Sequence, residues 1–253
     1  PGVTVSKNEG YKTVISIRGV GNETNQNAIA APSVAFHIDG VFIASPFSLL
    51  TDFIDIERIE VLRGPQGTLF GQNSTGGAIN VISKKPTTDD YYGKADLTIG
   101  NYDLLKYRTS VNIPVSEKVA TRFSFSSTKR DGFSKNIVTG QELDDANNIS
   151  LRSDWAIELS DSSSLRIFAQ YFDIDRNGAA MRGIDDQSSG IRNLAQDTLS
   201  NQELTSKVFA AIYEQDLGYA NLKIVASSQE DDINVTRDND RHNLGETVAA
   251  IPG

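Results

Sequence analysis

After Pro86 the chain alternates apolar and polar side chains with a period of two, in one run after another. Tyr107, Thr109, Val111, Ile113 and Val115 fall on one face, and Arg108, Ser110 and Asn112 on the other. Val119, Thr121, Phe123 and Phe125 oppose Ala120, Arg122, Ser124 and Ser126. Ile149, Leu151, Ser153, Trp155, Ile157 and Leu159 oppose Ser150, Arg152, Asp154, Ala156 and Glu158. Leu165, Ile167, Ala169 and Tyr171 oppose Arg166 and Gln170, and Leu222, Ile224 and Ala226 oppose Lys223 and Ser227. Alternation of this length marks strands with one apolar and one wet face. The runs also match the roughly 9–11 residues that a tilted strand needs to cross a bilayer.

The pattern places strands at about 93–100, 104–115, 118–130, 147–159, 163–174, 203–216 and 219–230. The links Ser116-Glu117-Lys118, Ser160-Asp161-Ser162 and Asp216-Leu217-Gly218 are short, whereas 131–146, 175–202 and the tail after 230 are long. Short turns at one end and long loops at the other are how outer-membrane barrels are built. A soluble sandwich gives no reason for that rhythm. The first link, Gly100-Asn101-Tyr102-Asp103, is short where a long one is expected. Tyr91, Tyr92, Tyr102, Tyr107, Trp155, Tyr171 and Phe172 are candidates for interfacial girdles.

Composition narrows the chemistry. The 253 residues include no cysteine and only two histidines, His37 and His242, so a thiolate site, a disulfide scaffold and a multi-histidine metal centre are excluded. No apolar run approaches the ~18 residues of a membrane-spanning helix. The net charge of -9 lies after residue 86: residues 1–86 carry seven basic and seven acidic side chains out of totals of 24 and 33. An acidic chain repels phosphate backbones, which argues against nucleic acid as a partner. The long links are themselves acidic: Asp131, Glu142, Asp144 and Asp145 stand against Lys135 in the first.

The first 86 residues have another texture, compact and glycine-rich. Thr13 to Val20 reads as a strand closed by a glycine turn, and Ser33 to Phe42 as two short strands about Asp39-Gly40. Asp39 is read as a turn residue rather than an acid or base, because no catalytic partner stands at motif spacing. Phe47 to Phe53 fits a short helical turn, Asp55 to Leu62 a half-buried strand, and Ala78 to Ile82 a final strand. Lys84 to Asp90 is the expected hinge between the two parts. Gly64, Gly67, Gly71, Gly76 and Gly77 permit tight turns; a phosphate cradle fails because no GxxxxGK[ST] occurs.

The run Val61-Leu62-Arg63-Gly64-Pro65-Gln66-Gly67-Thr68-Leu69-Phe70-Gly71, continued through Gly76-Gly77-Ala78-Ile79-Asn80-Val81-Ile82-Ser83-Lys84-Lys85-Pro86, resembles the plug signature of TonB-dependent outer-membrane receptors. The resemblance implies a membrane β-barrel, of 22 strands in the family and truncated here to about seven, with an N-terminal α+β plug domain. It divides the chain into a plug over 1–86 and the first part of a barrel over 87–253, an internal piece of a longer protein that is not expected to fold by itself. It implies no enzyme, catalytic residue, metal or cofactor. The implied activity is active import of a scarce nutrient into a bacterial cell, a ferric siderophore or other iron complex first, cobalamin or another bulky nutrient second. The implied partners are the TonB–ExbB–ExbD complex, whose docking box is not in this chain, the chelate, and outer-membrane lipid. Arg58, Glu60 and Arg63 are implied to dock the plug on the barrel wall, and Gly64, Pro65, Gly67, Gly71, Gly76 and Gly77 to shape the plug turn. Asn22, Asn25, Gln26, Pro46 and Phe47 are placed in loops facing the ligand. A plugless porin or adhesin explains the strands but not the motif, and a soluble β-rich enzyme lacks its catalytic set.

Overall fold

The computed structural model describes residues 2–8, 12–21, 33–45, 54–67, 73–184, 186, 188–238 and 241. Every element bounded within them is a strand. The N-terminal part holds β1 (Val3–Asn8), β2 (Lys12–Ile17) and β3 (Val20–Gly21) in one small antiparallel sheet. A second sheet contains β4 (Val34–Ile38), β5 (Val41–Phe42), β6 (Ile56–Arg63) and β7 (Gly77–Ser83), in the order β5-β4-β7-β6. The predicted turn is present: Asp39 and Gly40 both take positive φ, 53° and 85°, between the pairs His37–Phe42 and Ile38–Val41. Such a turn matches the natural twist of the strands it joins. The helical turn expected at 47–53 lies outside the described residues.

The rest is a single antiparallel wall. Its strands are β8 (Tyr92–Gly100), β9 (Leu104–Ser116), β10 (Val119–Arg130), β13 (Ala146–Ser160), β14 (Ser163–Arg176), β16 (Asn201–Asp216) and β17 (Asn221–Thr236), each beside its predecessor. These are the seven strands expected from alternation, within two residues at each end except that β17 runs on to Thr236, six residues into the expected tail. The long links are not plain loops. They carry β11 (Ser134–Asn136), β12 (Glu142–Leu143) and β15 (Asn193–Leu194), which form a small sheet joining two links. Fully buried Asn136 staples it: its Oδ1 accepts the backbone N–H of Val138 and Gln196, and its Nδ2 donates to the Gln196 carbonyl. Pairing across distant links leaves no periodic trace in the sequence, which is why these strands escape it.

The wall inverts the usual burial rule. Its buried face carries Ser110, Asn112, Arg122, Ser126, Ser150, Arg152, Asp154, Arg166 and Ser206. Its exposed face carries Ile99 at 76%, Phe209 at 52% and Ile224 at 53%, with Leu97, Leu151 and Trp155. A sheet with apolar residues outward and polar residues inward suits lipid on one side and a wet or plugged lumen on the other. Tyr107, Trp155 and Tyr171 face outward as girdle residues should. Phe172 does not: it shares the inward parity of Arg166 and packs with Ile174 and Leu204. Tyr92 lies beneath the Arg122 guanidinium, 5.1 Å from its ring centre.

The glycine run earns its place at two positions. Gly77 has φ 141°, and an added Cβ would collide with the Leu62 carbonyl oxygen and crowd Ile17. A Cβ on Gly76 would sit 2.9 Å from Val20 Cγ1. Gly64 (φ 80°) and exposed Pro65 form the turn after β6, and Gly64 N–H donates to the Gly76 carbonyl at 3.2 Å. Gly67 has space around it, and Gly71 lies outside the described residues. We expect Gly77→Ala to destabilise the N-terminal part by at least about 1–3 kcal/mol, the usual cost of a residue forced into such backbone. Gly67→Ala should stay within about 0.5 kcal/mol. Urea midpoints for loss of protease protection over residues 33–83 check both; equal midpoints would refute the assignment.

Candidate functional site

The N-terminal part sits against the inner face of the wall, and one row of wall residues runs through the contact. Arg122 on β10 pairs across the sheet with Asn112 on β9 and with Asp154 on β13, and Asp154 pairs with Phe168 on β14. Alternation aims all four inward. Each meets a different piece of the N-terminal part, or organises the arginines that do.

At the Asp154 position the contact is a buried cluster of four charges. Arg166 Nε donates to Asp154 Oδ1 at 2.9 Å and its Nη2 to Asp154 Oδ2 at 2.5 Å. Arg152 Nη2 donates to Asp154 Oδ2 at 3.1 Å, and its Nη1 to Gln170 at 3.1 Å. Both guanidiniums then reach Asp39 in the β4–β5 turn, Arg152 at 2.6 Å and Arg166 at 3.2 Å. Side-chain exposure is at most 9% for all four. Asp39 also accepts from Ser83 twice, from its N–H at 3.0 Å and its hydroxyl at 2.7 Å. Arg152 lies 4.0 Å from the Phe168 ring centre, which adds cation–π attraction.

Beside this cluster the surfaces are apolar. Ile17, Val34, Phe36, Ile38, Val41, Ile43, Ile79 and Val81 form one core with Phe168, Val208, Ala210 and Ile212 of the wall. The wall is therefore greasy where the sheet of β4 and β7 leans on it and charged at the margin. At the Arg122 position a second pair forms: its Nη2 donates to Asp55 Oδ1 at 2.9 Å, its Nε also engages Asp55, and Ser124 adds a contact at 3.3 Å.

Burial alone would raise the pKa of Asp39, but the Arg152 and Arg166 charges and the Ser83 hydrogen bonds outweigh it, so its carboxyl lies below the ordinary value of 3.8. Burial lowers His37 from 6.5, leaving a neutral ring beside Phe42.

Arg58, Glu60 and Arg63, expected to dock on the wall, make hydrogen bonds within the N-terminal part. Arg58 pairs with Glu57 at 2.5 Å and Glu60 at 2.9 Å on its own strand, with about half of its side chain exposed. Glu60 also accepts from Asn80 at 3.3 Å. Arg63 is exposed, and its carbonyl accepts from Gln66 Nε2 at 3.5 Å. Arg58 does line a cleft of about 540 Å³ whose far side includes Glu158, Arg166, Glu214 and Lys223 of the wall. The buried ion pairs to the wall come from Asp39 and Asp55, which sequence reasoning passed over. Asp39 looked sufficient as a turn residue, and it is one; the inward arginines on alternating wall strands were the available signal that buried carboxylates must meet them. Asn22, Asn25, Gln26, Pro46 and Phe47 lie outside the described residues. Among the described residues no group of His, Asp or Glu is arranged to hold a metal.

Removing Asp39 takes one of two carboxylates from Arg152 and Arg166 but leaves them Asp154, so Asp39→Ala should loosen the seat by about 1–3 kcal/mol, less than stripping a buried charge bare. Because the Asp39 pKa is depressed on seating, its stabilisation is full above 3.8 and fades as pH falls through the lower seated value. Protection factors of residues 33–45, taken relative to the intrinsic amide rate at each pH, should therefore be flat from neutral pH down to that range and fall below it. A fall starting near pH 6.5 would point to His37 instead.

Residues 1–78 match the family model described as TonB-dependent receptor plug domain. The chain is 36% identical over 74 residues to the pesticin receptor of Yersinia pestis, covering 29% of this chain and 10% of that protein. It is 32% identical over 117 residues to the ferripyoverdine receptor of Pseudomonas aeruginosa, covering 46% and 14%. Among solved structures it is similar to the ferric yersiniabactin uptake receptor of Yersinia pestis, with a TM-score of 0.79 at 19% identity over 93% of this chain and 37% of that one. The pyoverdine outer-membrane receptor of Pseudomonas aeruginosa gives 0.69 at 21% identity, over 92% and 34%. The chain spans about a tenth to a seventh of the length of these curated relatives. With the signature over 61–86 and the inside-out wall around it, residues 1–78 match a TonB-dependent receptor plug domain, and the whole chain shares its fold with the part of these outer-membrane receptors that it covers.

Proposed function

We propose that this chain is part of an outer-membrane importer that carries a ferric siderophore into the cell, with residues 1–86 as the movable plug and 87–253 as the start of the barrel. The carrying observation is the four-charge cluster of Asp39, Asp154, Arg152 and Arg166. It holds the plug, yet each half keeps partners when the other departs. Asp39 retains the N–H and hydroxyl of Ser83, both on the plug. Arg152 and Arg166 retain Asp154, and Arg152 retains Gln170, all on the wall. Uncompensated buried charge is what makes breaking such pairs costly; here neither side is stripped bare. The interface is strong enough to seal and built to come apart.

On this reading the chelate binds among the long loops and the plug apex. The TonB–ExbB–ExbD complex then pulls the plug from its N-terminal side, using the proton motive force, and the Asp39 turn leaves the arginines. The outward apolar residues face membrane lipid, and Arg58 and Glu60 in the periplasmic cleft add a hydrated second contact. The relatives named above, receptors of ferripyoverdine and ferric yersiniabactin, favour an iron chelate as cargo.

Deleting the gene should abolish energy-dependent uptake of one radiolabelled ferric siderophore under iron limitation, and uptake should stop with a protonophore. Asp154→Asn makes a sharper test. With Asp154 neutral, unlatching strands two guanidiniums, so uptake should fall roughly tenfold or more while the plug stays protected from protease. Asp39→Asn should instead loosen the plug and admit large antibiotics. If both variants behave alike, the cluster is not a latch.

A further inference from the structure

The connection between plug and barrel reads in the sequence as a hinge, and the structure gives it the opposite character. Asn112 is fully buried on the inner face of β9. Its Oδ1 accepts the backbone N–H of Thr87 at 3.0 Å, and its Nδ2 donates to the carbonyls of Thr87 and Asp90, both at 2.8 Å. One side chain thus engages three backbone groups of the connection and uses its donor and acceptor ends together. The segment is stiff for two further reasons. Pro86 is buried and has a fixed φ, and it restricts Lys85 before it. Lys84 N–H donates to the carbonyl of Asp55 at 2.9 Å, and the Asp55 side chain is held by Arg122, the cross-strand neighbour of Asn112.

We propose that Asn112 is a positioning residue that makes residues 84–91 a fixed end of the plug. The proposal rests on the reading of the plug as the moving part. With this end clamped, the plug cannot swing out as a rigid body about 84–90. Separation has to begin at the Asp39 turn, while β6 and the connection stay on the wall through Arg122 and Asn112. The two attachments differ in kind. The Asp39 cluster divides into two halves that each keep partners, whereas loss of Asn112 takes away at once the one side chain that holds the partly buried Thr87 N–H and the carbonyls of Thr87 and Asp90 to the wall.

The test is native-state hydrogen exchange on the whole receptor in outer-membrane vesicles, over a urea series too mild to open the barrel. It needs neither ligand nor energy coupling, so a failed uptake assay leaves it intact, and its own failure leaves the import reading standing. In the parent protein, residues 84–91 and 56–63 should exchange at least about tenfold more slowly than 33–45, as separately opening units do. Asn112→Ala and Asn112→Asp should bring 84–91 up to the rate of 33–45, the aspartate because its charge would face two carbonyls. Wall strands β13 and β14 should keep their rates in both variants, which separates a local clamp from general destabilisation. The proposal is overturned if 33–45 and 84–91 open together in the parent, if Asn112→Ala leaves 84–91 protected, or if the wall opens with it.

Discussion

Arginines buried on the inner face of the sheet need partners, and the N-terminal part supplies them in Asp39 and Asp55. How that part is seated depends on these pairs. Outward, the wall presents apolar side chains for which lipid is the natural solvent. Inward, the row of Asn112, Arg122, Asp154 and Phe168 sets out a hydrogen bonder, a cation, an anion and a ring. The backbone at Thr87 and Asp90 meets Asn112, Asp55 meets Arg122 and an apolar sheet face meets Phe168, while Asp154 holds the two arginines that reach Asp39. Buried charges cost free energy unless paired, so placing the row largely dictates where the plug sits.

Pairing of this kind is poor evidence of stability, because two well-packed apolar side chains would often do as well. On the proposed reading its value lies in reversibility. An interface made of apolar packing alone would have to expose the whole of its area to open. At the Asp39 turn the charges are shared between self-sufficient halves, and at the cleft by Arg58 the surface is already wet. The N-terminal part is thus held by a mixture: an apolar patch, a cluster of buried ion pairs, and a connection hydrogen-bonded to Asn112.

Much of the fold was legible before any coordinates. Alternation located the seven wall strands because side-chain direction in a strand has a period of two and the two solvents differ sharply. The Asp39-Gly40 turn was legible because only certain residues accept two successive positive φ values. The glycine run was legible as a tight turn, although only the structure shows that Gly77 is crowded by Leu62 and that Gly67 is not. Phe172 was misread as a girdle residue although its own parity with Arg166 placed it inward; aromatic character was allowed to outweigh phase.

What the sequence determined by itself is local and periodic: which residues form strands, which face each side chain takes, where the chain turns sharply, and that the wall is polar within. Tertiary structure decided the partners. That Asp39 and Asp55 make the buried ion pairs to the wall depends on residues 67 to 127 positions apart in the chain being brought together. That Lys84 to Asp90 is clamped rather than free depends on one asparagine more than twenty residues later. Short-range preference cannot report such pairings, because the free energy that selects them, relief of buried charge and buried backbone, exists only after the sheet has excluded water.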